Sequence, residues 1–186
     1  IGFDQLRLDH GELSIRRIAQ HAECSHIDDR GLARRQRVER REGLIRVVER
    51  GKRGTGYAVK LVLNMLWFNN FVASVEALLL GVKAGVDLET LRKSLVGSPC
   101  QSILLERDIM GLLKDGDYDE GFAVALACKD LRLAGDLARS VGVPMEVGAT
   151  VENVYRRARA RYGDKAGEMI PAKMYEDDTN TPLRFK

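Results

Sequence analysis

The stretch Gly54-Thr-Gly-Tyr-Ala-Val-Lys60-Leu-Val-Leu-Asn64-Met-Leu-Trp67 decides the fold. Two glycines lead into the longest apolar run of the chain, which reads as one helix to about residue 84. Few polar residues interrupt it: Lys60, Asn64, Asn69, Asn70, Ser74, Glu76 and Lys83. Lys60 and Asn64 are four apart, so a helix puts them on one face. Leu61, Val62, Leu63, Met65 and Leu66 cover most of the remaining surface, and a helix apolar nearly all round is expected to be buried. A lysine and an asparagine on such a helix need a polar partner or a cavity, because burying them alone is costly. Three readings follow. Lys60 is a core-helix residue that snorkels to water. Or the run is a membrane span of about 20 apolar residues, which the repeated Asn, Ser and Glu argue against. Or Lys60 is a catalytic acid/base in a semi-apolar pocket.

Downstream, punctuation is regular. Gly85 stops the long helix, and Asp87 caps a second that runs through Lys93 and Leu95. Residues 97–102 form a turn and a new cap. Residues 103–113 read as a helix with Ile103, Leu104, Ile109, Leu112 and Leu113 as its apolar face. Residues 115–121, rich in Asp and Gly, form a loop. Residues 124–141 carry an apolar face of Leu126, Leu131, Leu133, Leu137 and Val141, and Gly142-Val-Pro144 ends that helix. Residues 145–161 form another, with Val147, Val151, Val154 and Tyr155 inward and Arg156, Arg157, Arg159 and Arg161 in water. Residues 166–175 form a last short helix, and 176–180 fray.

The composition, 45% hydrophobic and 31% charged at net charge +3 over 186 residues, is that of one or two small soluble domains. Cys24, Cys100 and Cys128 are odd in number and lack zinc spacing, so they read as free thiols of a reducing, cytoplasmic compartment. No metal site is expected: His21, Cys24 and His26 lack a fourth ligand nearby. The start, Ile1-Gly-Phe-Asp-Gln, has no basic region followed by an apolar one, and its missing Met suggests a fragment or processed chain.

The spacing Gly54-x-Gly56-x-x-x-Lys60-x-x-x-Asn64 resembles the catalytic-helix signature of the β-hydroxyacid dehydrogenases, the 3-hydroxyisobutyrate dehydrogenase family. A second block, Phe122-Ala-Val-Ala-Leu-Ala-Cys-Lys129-Asp130-Leu131, is similar to that family's F-x-L-x-L-x-x-K-D-L block. Between them, Glu76-Ala-Leu and Lys83-Ala-Gly85-Val-Asp87 resemble its E-A-L and K-A-G-x-D steps. The resemblance covers residues 54–162 and, more weakly, reaches 176. It implies a mainly α, multi-helix domain around one long buried helix, like the C-terminal domain of 6-phosphogluconate dehydrogenase. It also implies Lys60 as acid/base, with Asn64 binding substrate or holding the lysine. Gly54 and Gly56 would lie beside the nicotinamide of NAD or NADP, Phe122 near its nicotinamide end, and Lys129 on the dinucleotide. Asp130 positions structure. Taken alone, Lys129-Asp130 reads as a surface pair of little worth.

Residues 1–53 differ from the rest. They hold all three histidines and twelve arginines with few apolar residues. They read as a basic arm for nucleic acid, or as a solvated or disordered Arg/Glu mixture. The third reading is a shifted reading frame standing where the family has a nucleotide-binding Rossmann domain. The interleaved acids and the lack of aromatic platforms disfavour nucleic acid. Gly51-Lys-Arg-Gly54-Thr-Gly56 lacks both a leading strand and the G-x-G-x-x-G spacing, so it is a hinge rather than a Rossmann loop.

The expected organisation is therefore an irregular segment 1–53, a helical domain 54–176 and a tail 177–186. The resemblance implies the C-terminal part of an oxidoreductase that moves a hydride between a nicotinamide cofactor and a small β-hydroxyacid. It implies a homo-oligomer through the helical domain, no membrane, and little activity of this chain alone. The alternative is a helical dimerisation module without catalysis.

Overall fold

The computed structural model describes residues 55–119 and 121–186; Gly54 and the arginine-rich segment, with the readings placed on them, lie outside the described residues. Six α-helices are described: α1 Thr55–Lys83, α2 Leu88–Val96, α3 Met110–Asp115, α4 Val124–Val141, α5 Glu146–Tyr162 and α6 Ile170–Thr179. A π-helical segment, Leu104–Asp108, precedes α3. The described residues contain no β-strand, only an isolated antiparallel bridge between Ala123 and Gly167.

The long rod expected from the apolar run is α1, 29 residues and so about 43 Å at 1.5 Å per residue. By length and composition alone it is apolar enough to cross a membrane. Its inner flank is instead the spine of a packed core: Phe68, Phe71, Val72, Val75, Leu78 and Leu79 recur at three- and four-residue steps and are all buried. The all-round burial expected of α1 is not observed. Val62, Leu63 and Leu66 are about half exposed, and Leu80 is 73% exposed. Composition alone cannot tell a helix covered on every side from one covered on a single flank.

The described residues fall into two units, 55–63 with 133–144, and 64–119 and 121–132 with 145–186. In the described part of the first, Leu61, Leu133, Ala134 and Ala138 are buried. The α4 helix ends at Gly142 (φ 73°), where the Val143 amide donates to Ala138 O at 3.0 Å. The second unit holds the main core. Tyr155 of α5, fully buried, lies with its ring centroid 5.0 Å from that of Phe68, and Leu131, Ile109, Leu112 and Met174 close around the same cluster. Val147, expected to face inward, is 67% exposed. It is the second residue of α5, one turn ahead of Val151, where the buried side chains Val151, Val154 and Tyr155 begin.

The predicted turn chemistry is present. Asp87 accepts from the Thr90 amide at 2.9 Å and caps α2. Ser102 Oγ accepts from the Leu105 amide at 3.2 Å. Residues 103–113, expected as one regular helix, are instead divided. The Ile109 amide reaches back five residues to Leu104 O at 3.0 Å, which widens the turn. Arg92 takes up carbonyls on this turn, donating to Leu105 O at 2.9 Å and Glu106 O at 2.6 Å. Ile103, placed on the apolar face by periodicity, ends 63% exposed.

The C-terminus departs most from expectation. Residues 176–180 do not fray: α6 continues to Thr179 and Asn180 closes it in the left-handed conformation. Nor is 177–186 a free tail, since Leu183 is fully buried and the Phe185 amide donates to Leu113 O at 2.9 Å. Glu176, 7% exposed, gathers the return. It accepts from Tyr118 Oη at 2.5 Å, from the Leu183 amide at 3.0 Å and from Arg184 Nη1 at 3.0 Å. Arg184 also donates to Tyr118 Oη at 2.6 Å. Gly116 (φ 71°) lets this guanidinium sit close, because a Cβ there would stand 2.6 Å from Arg184 Nη2.

Candidate active site

Asn64 and Asp130, 66 residues apart in the second unit, meet in space. Asn64, on α1, donates through Nδ2 to Oδ2 of Asp130, on α4, at 2.7 Å. Asp130 is 2% exposed. It falls on the flank of α4 that also buries Ala127, Leu131 and Ala134, so a carboxylate sits where helical periodicity asks for an apolar residue. Burying such a charge is costly unless it is paired and hydrogen-bonded. Lys129 Nζ stands 3.7 Å from Asp130 Oδ1, with its side chain 28% exposed. The surface-pair reading of Lys129-Asp130 is thereby corrected: the carboxylate is internal.

Next to Asn64 the unit is aromatic. Trp67 stacks on Phe71, with centroids 5.5 Å apart and planes at 6°, and donates its indole N–H to Asp108 Oδ2 at 3.2 Å. Asp108 closes the π-helical segment. Phe122, partly buried just ahead of α4, lies 6.3 Å from Phe68 between ring centroids. Asn64, Phe122 and Lys129 thus belong to one unit. Cys128, beside Lys129, is a buried thiol whose pKa burial pushes up, so it is a poor nucleophile.

Lys60 belongs to the first unit and is partly buried, one turn ahead of Asn64 in the continuous helix α1. Gly56 falls inside the first turn of α1, so the expected hinge does not extend to it. Gly54 lies outside the described residues. Among the described residues no group of three or more His, Cys, Asp or Glu side chains could hold a metal ion. Sequence reasoning passed over Asp108 and the Trp67 contact. It also gave Asp130 no partner beyond its neighbour Lys129, although an aspartate on the apolar flank of α4 was a readable sign that another existed.

The second unit is all helical among the described residues, and an asparagine of its long helix is anchored to a buried aspartate of another helix. The chain belongs to the family described as the NAD-binding domain of NADP-dependent 3-hydroxyisobutyrate dehydrogenase, whose sequence model matches residues 54–175. It is 36% identical over 133 residues to 2-(hydroxymethyl)glutarate dehydrogenase of Eubacterium barkeri, a match covering 72% of this chain and 44% of that protein. It is 33% identical over 141 residues to human mitochondrial 3-hydroxyisobutyrate dehydrogenase, covering 72% and 42%. A crystal structure of 3-hydroxyisobutyrate dehydrogenase from Salmonella typhimurium superposes with a TM-score of 0.59 at 26% identity, over 65% of this chain and 42% of that one. The chain therefore spans under half the length of these relatives.

Proposed function

We propose that this chain supplies the helical part of an NAD(P)-dependent oxidoreductase acting on a small β-hydroxyacid. Lys60 is its acid/base, Asn64 its substrate-binding amide, and Gly54, Gly56, Phe122 and Lys129 its cofactor contacts. The observation that carries this reading is the bond from Asn64 to buried Asp130, because it ties the two family motifs together. The residues present suit a dinucleotide: Lys129 offers a partly exposed ammonium and Phe122 a partly buried flat ring, which match phosphate and nicotinamide. When bound, the nicotinamide supplies the hydride acceptor or donor. Lys60 Nζ takes the hydroxyl proton in oxidation and returns it in reduction. Asn64 holds the reacting end of the substrate by hydrogen bonding, and Lys129 holds the cofactor's negative charge.

We read the helical domain as residues 54–176 joined by the packed C-terminal return, preceded by the arginine-rich segment 1–53. The match of this chain to under half of its relatives' length supports little turnover by the chain alone. The free Cys100 and Cys128 fit a reducing compartment such as the cytoplasm. Self-association through the helical domain is supported by the exposed apolar flank of α1, Leu66 and Leu80 in particular. That flank also favours the second reading, a helical dimerisation module without catalysis.

A titration of the chain with NADPH or NADH separates the two. Saturable change in nicotinamide fluorescence, weakened by Lys129→Ala, supports the dehydrogenase reading. No change at millimolar dinucleotide, in a chain that sediments as a dimer, favours the module.

A further inference from the structure

We propose that Asp130 is a positioning residue: its buried carboxylate fixes which way the Asn64 carboxamide faces, and so makes Asn64 present an acceptor oxygen to the substrate's hydroxyl. The argument begins with donor and acceptor types. A carboxylate only accepts, and a carboxamide has one end that donates and one that accepts. At 2.7 Å from Asp130 Oδ2, the end of Asn64 facing Asp130 must be the NH2. Its Oδ1 is then turned away from Asp130. A flip would bring two acceptors together beside a group that is 2% exposed, where water cannot separate them. The bond engages Oδ2, while Lys129 Nζ lies by Oδ1 at 3.7 Å, so the two neighbours use different oxygens of one carboxylate. A freely turning amide would serve a hydroxyl or a carbonyl equally well. One held with Oδ1 outward accepts a hydrogen bond and so favours the alcohol form of a ligand. The choice of ligand rests on the dehydrogenase reading above; the orientation of Asn64 does not.

The test is NMR on the whole chain labelled with 15N-asparagine, with the Asn64 side-chain signals assigned by their loss in Asn64→Gln. One Asn64 Nδ2 proton should lie downfield and exchange about tenfold or more slowly than those of the exposed Asn70, as a hydrogen bond to a charged group requires. Asp130→Leu, which has no acceptor, should abolish that protection while the helical circular dichroism persists. Lys129→Met should leave it in place, because the acceptor is Oδ2; this variant and the wild-type spectrum decide the matter if Asp130→Leu fails to fold. Asn64 protons that exchange as Asn70's do, or protection lost in Lys129→Met, overturn the positioning role. For the ligand, 3-hydroxypropionate added with NADPH should shift the Asn64 signals, and propionate should not. Equal shifts from both acids overturn the hydroxyl preference. No shift from either, with no change in NADPH fluorescence, overturns the dehydrogenase reading instead, and the exchange protection still decides the role of Asp130.

Discussion

Removing the Glu176 carboxylate should weaken the fold more than any exposed ion pair could. The side chain is 7% exposed and accepts from Tyr118, from the Leu183 amide and from Arg184 at 2.5, 3.0 and 3.0 Å. A hydrogen bond to a charged group contributes about 1.5–3 kcal/mol. The sum overstates the effect, because Tyr118 and Arg184 keep their own 2.6 Å bond and Arg184 is 27% exposed. The Leu183 amide has no such substitute. Breaking one side of a buried pair costs about 3–5 kcal/mol, and Glu176→Ala should fall at the lower end of that range, a Tm lower by roughly 10 °C. Urea unfolding followed by far-UV circular dichroism gives the free energy. Limited trypsin digestion should show cleavage after Arg184 appearing early in the variant. Glu176→Gln, which keeps the shape and one acceptor, should lose about half as much. A loss under about 1 kcal/mol, the range of a surface pair, would refute the claim that this carboxylate anchors the C-terminal return.

Other outcomes follow from the same structure. Burial first, and then the bond to Glu176, pushes the Tyr118 phenol from 10.0 up to about 12. A raised folded-state pKa gives stability that is complete below pH 10 and lost as pH rises towards 12, so Tyr118→Phe should flatten the alkaline side of a stability-against-pH curve. The bond from the Thr90 amide holds the Asp87 carboxyl below its usual 3.8. That contribution is present above the unfolded value and fades as pH falls through the folded one; Asp87→Asn should make the acid melting of α2 independent of this step. Phe71→Ala, at a fully buried ring in the core stripe of α1, should cost about 3–5 kcal/mol in urea unfolding. In a full-length enzyme carrying this domain, Lys60→Ala should lower kcat by about 10²–10⁴. Lys60→Arg should not restore it, since a guanidinium does not give up its proton; near-normal kcat in Lys60→Ala would return Lys60 to the snorkelling reading.

Helix placement was legible because it rests on local chemistry. Asp87 began one helix and Gly142 ended another where caps and breakers said they should. The inner stripe of α1 follows from three- and four-residue spacing. What escaped was set by tertiary partners. Periodicity assigned Ile103 and Val147 inward, but Ile103 lies just ahead of the π-helical turn braced by Arg92 and Val147 in the first turn of α5, and both are exposed. Glu176 looked like part of a polar, fraying end because its three donors include residues 58 positions upstream and eight downstream. Asp130 looked like half of a surface pair because Asn64 lies 66 residues away. In the site, family spacing singled out Asn64 and Lys129, and only the fold could join them through Asp130.

Trp67 is the one tryptophan of the chain. Its indole is stacked on Phe71 and tied to Asp108, and it follows Asn64 by three residues on α1. The protein therefore carries a built-in optical reporter at one place. Its emission maximum and near-UV dichroism come from that single environment, with no other indole to average over. Loosening of the π-helical turn would redden the emission as the indole loses Asp108 and meets water. A reduced nicotinamide held near α1 would absorb this emission and dim it by energy transfer. One cuvette, without label or mutation, distinguishes a ligand arriving from a helix coming apart.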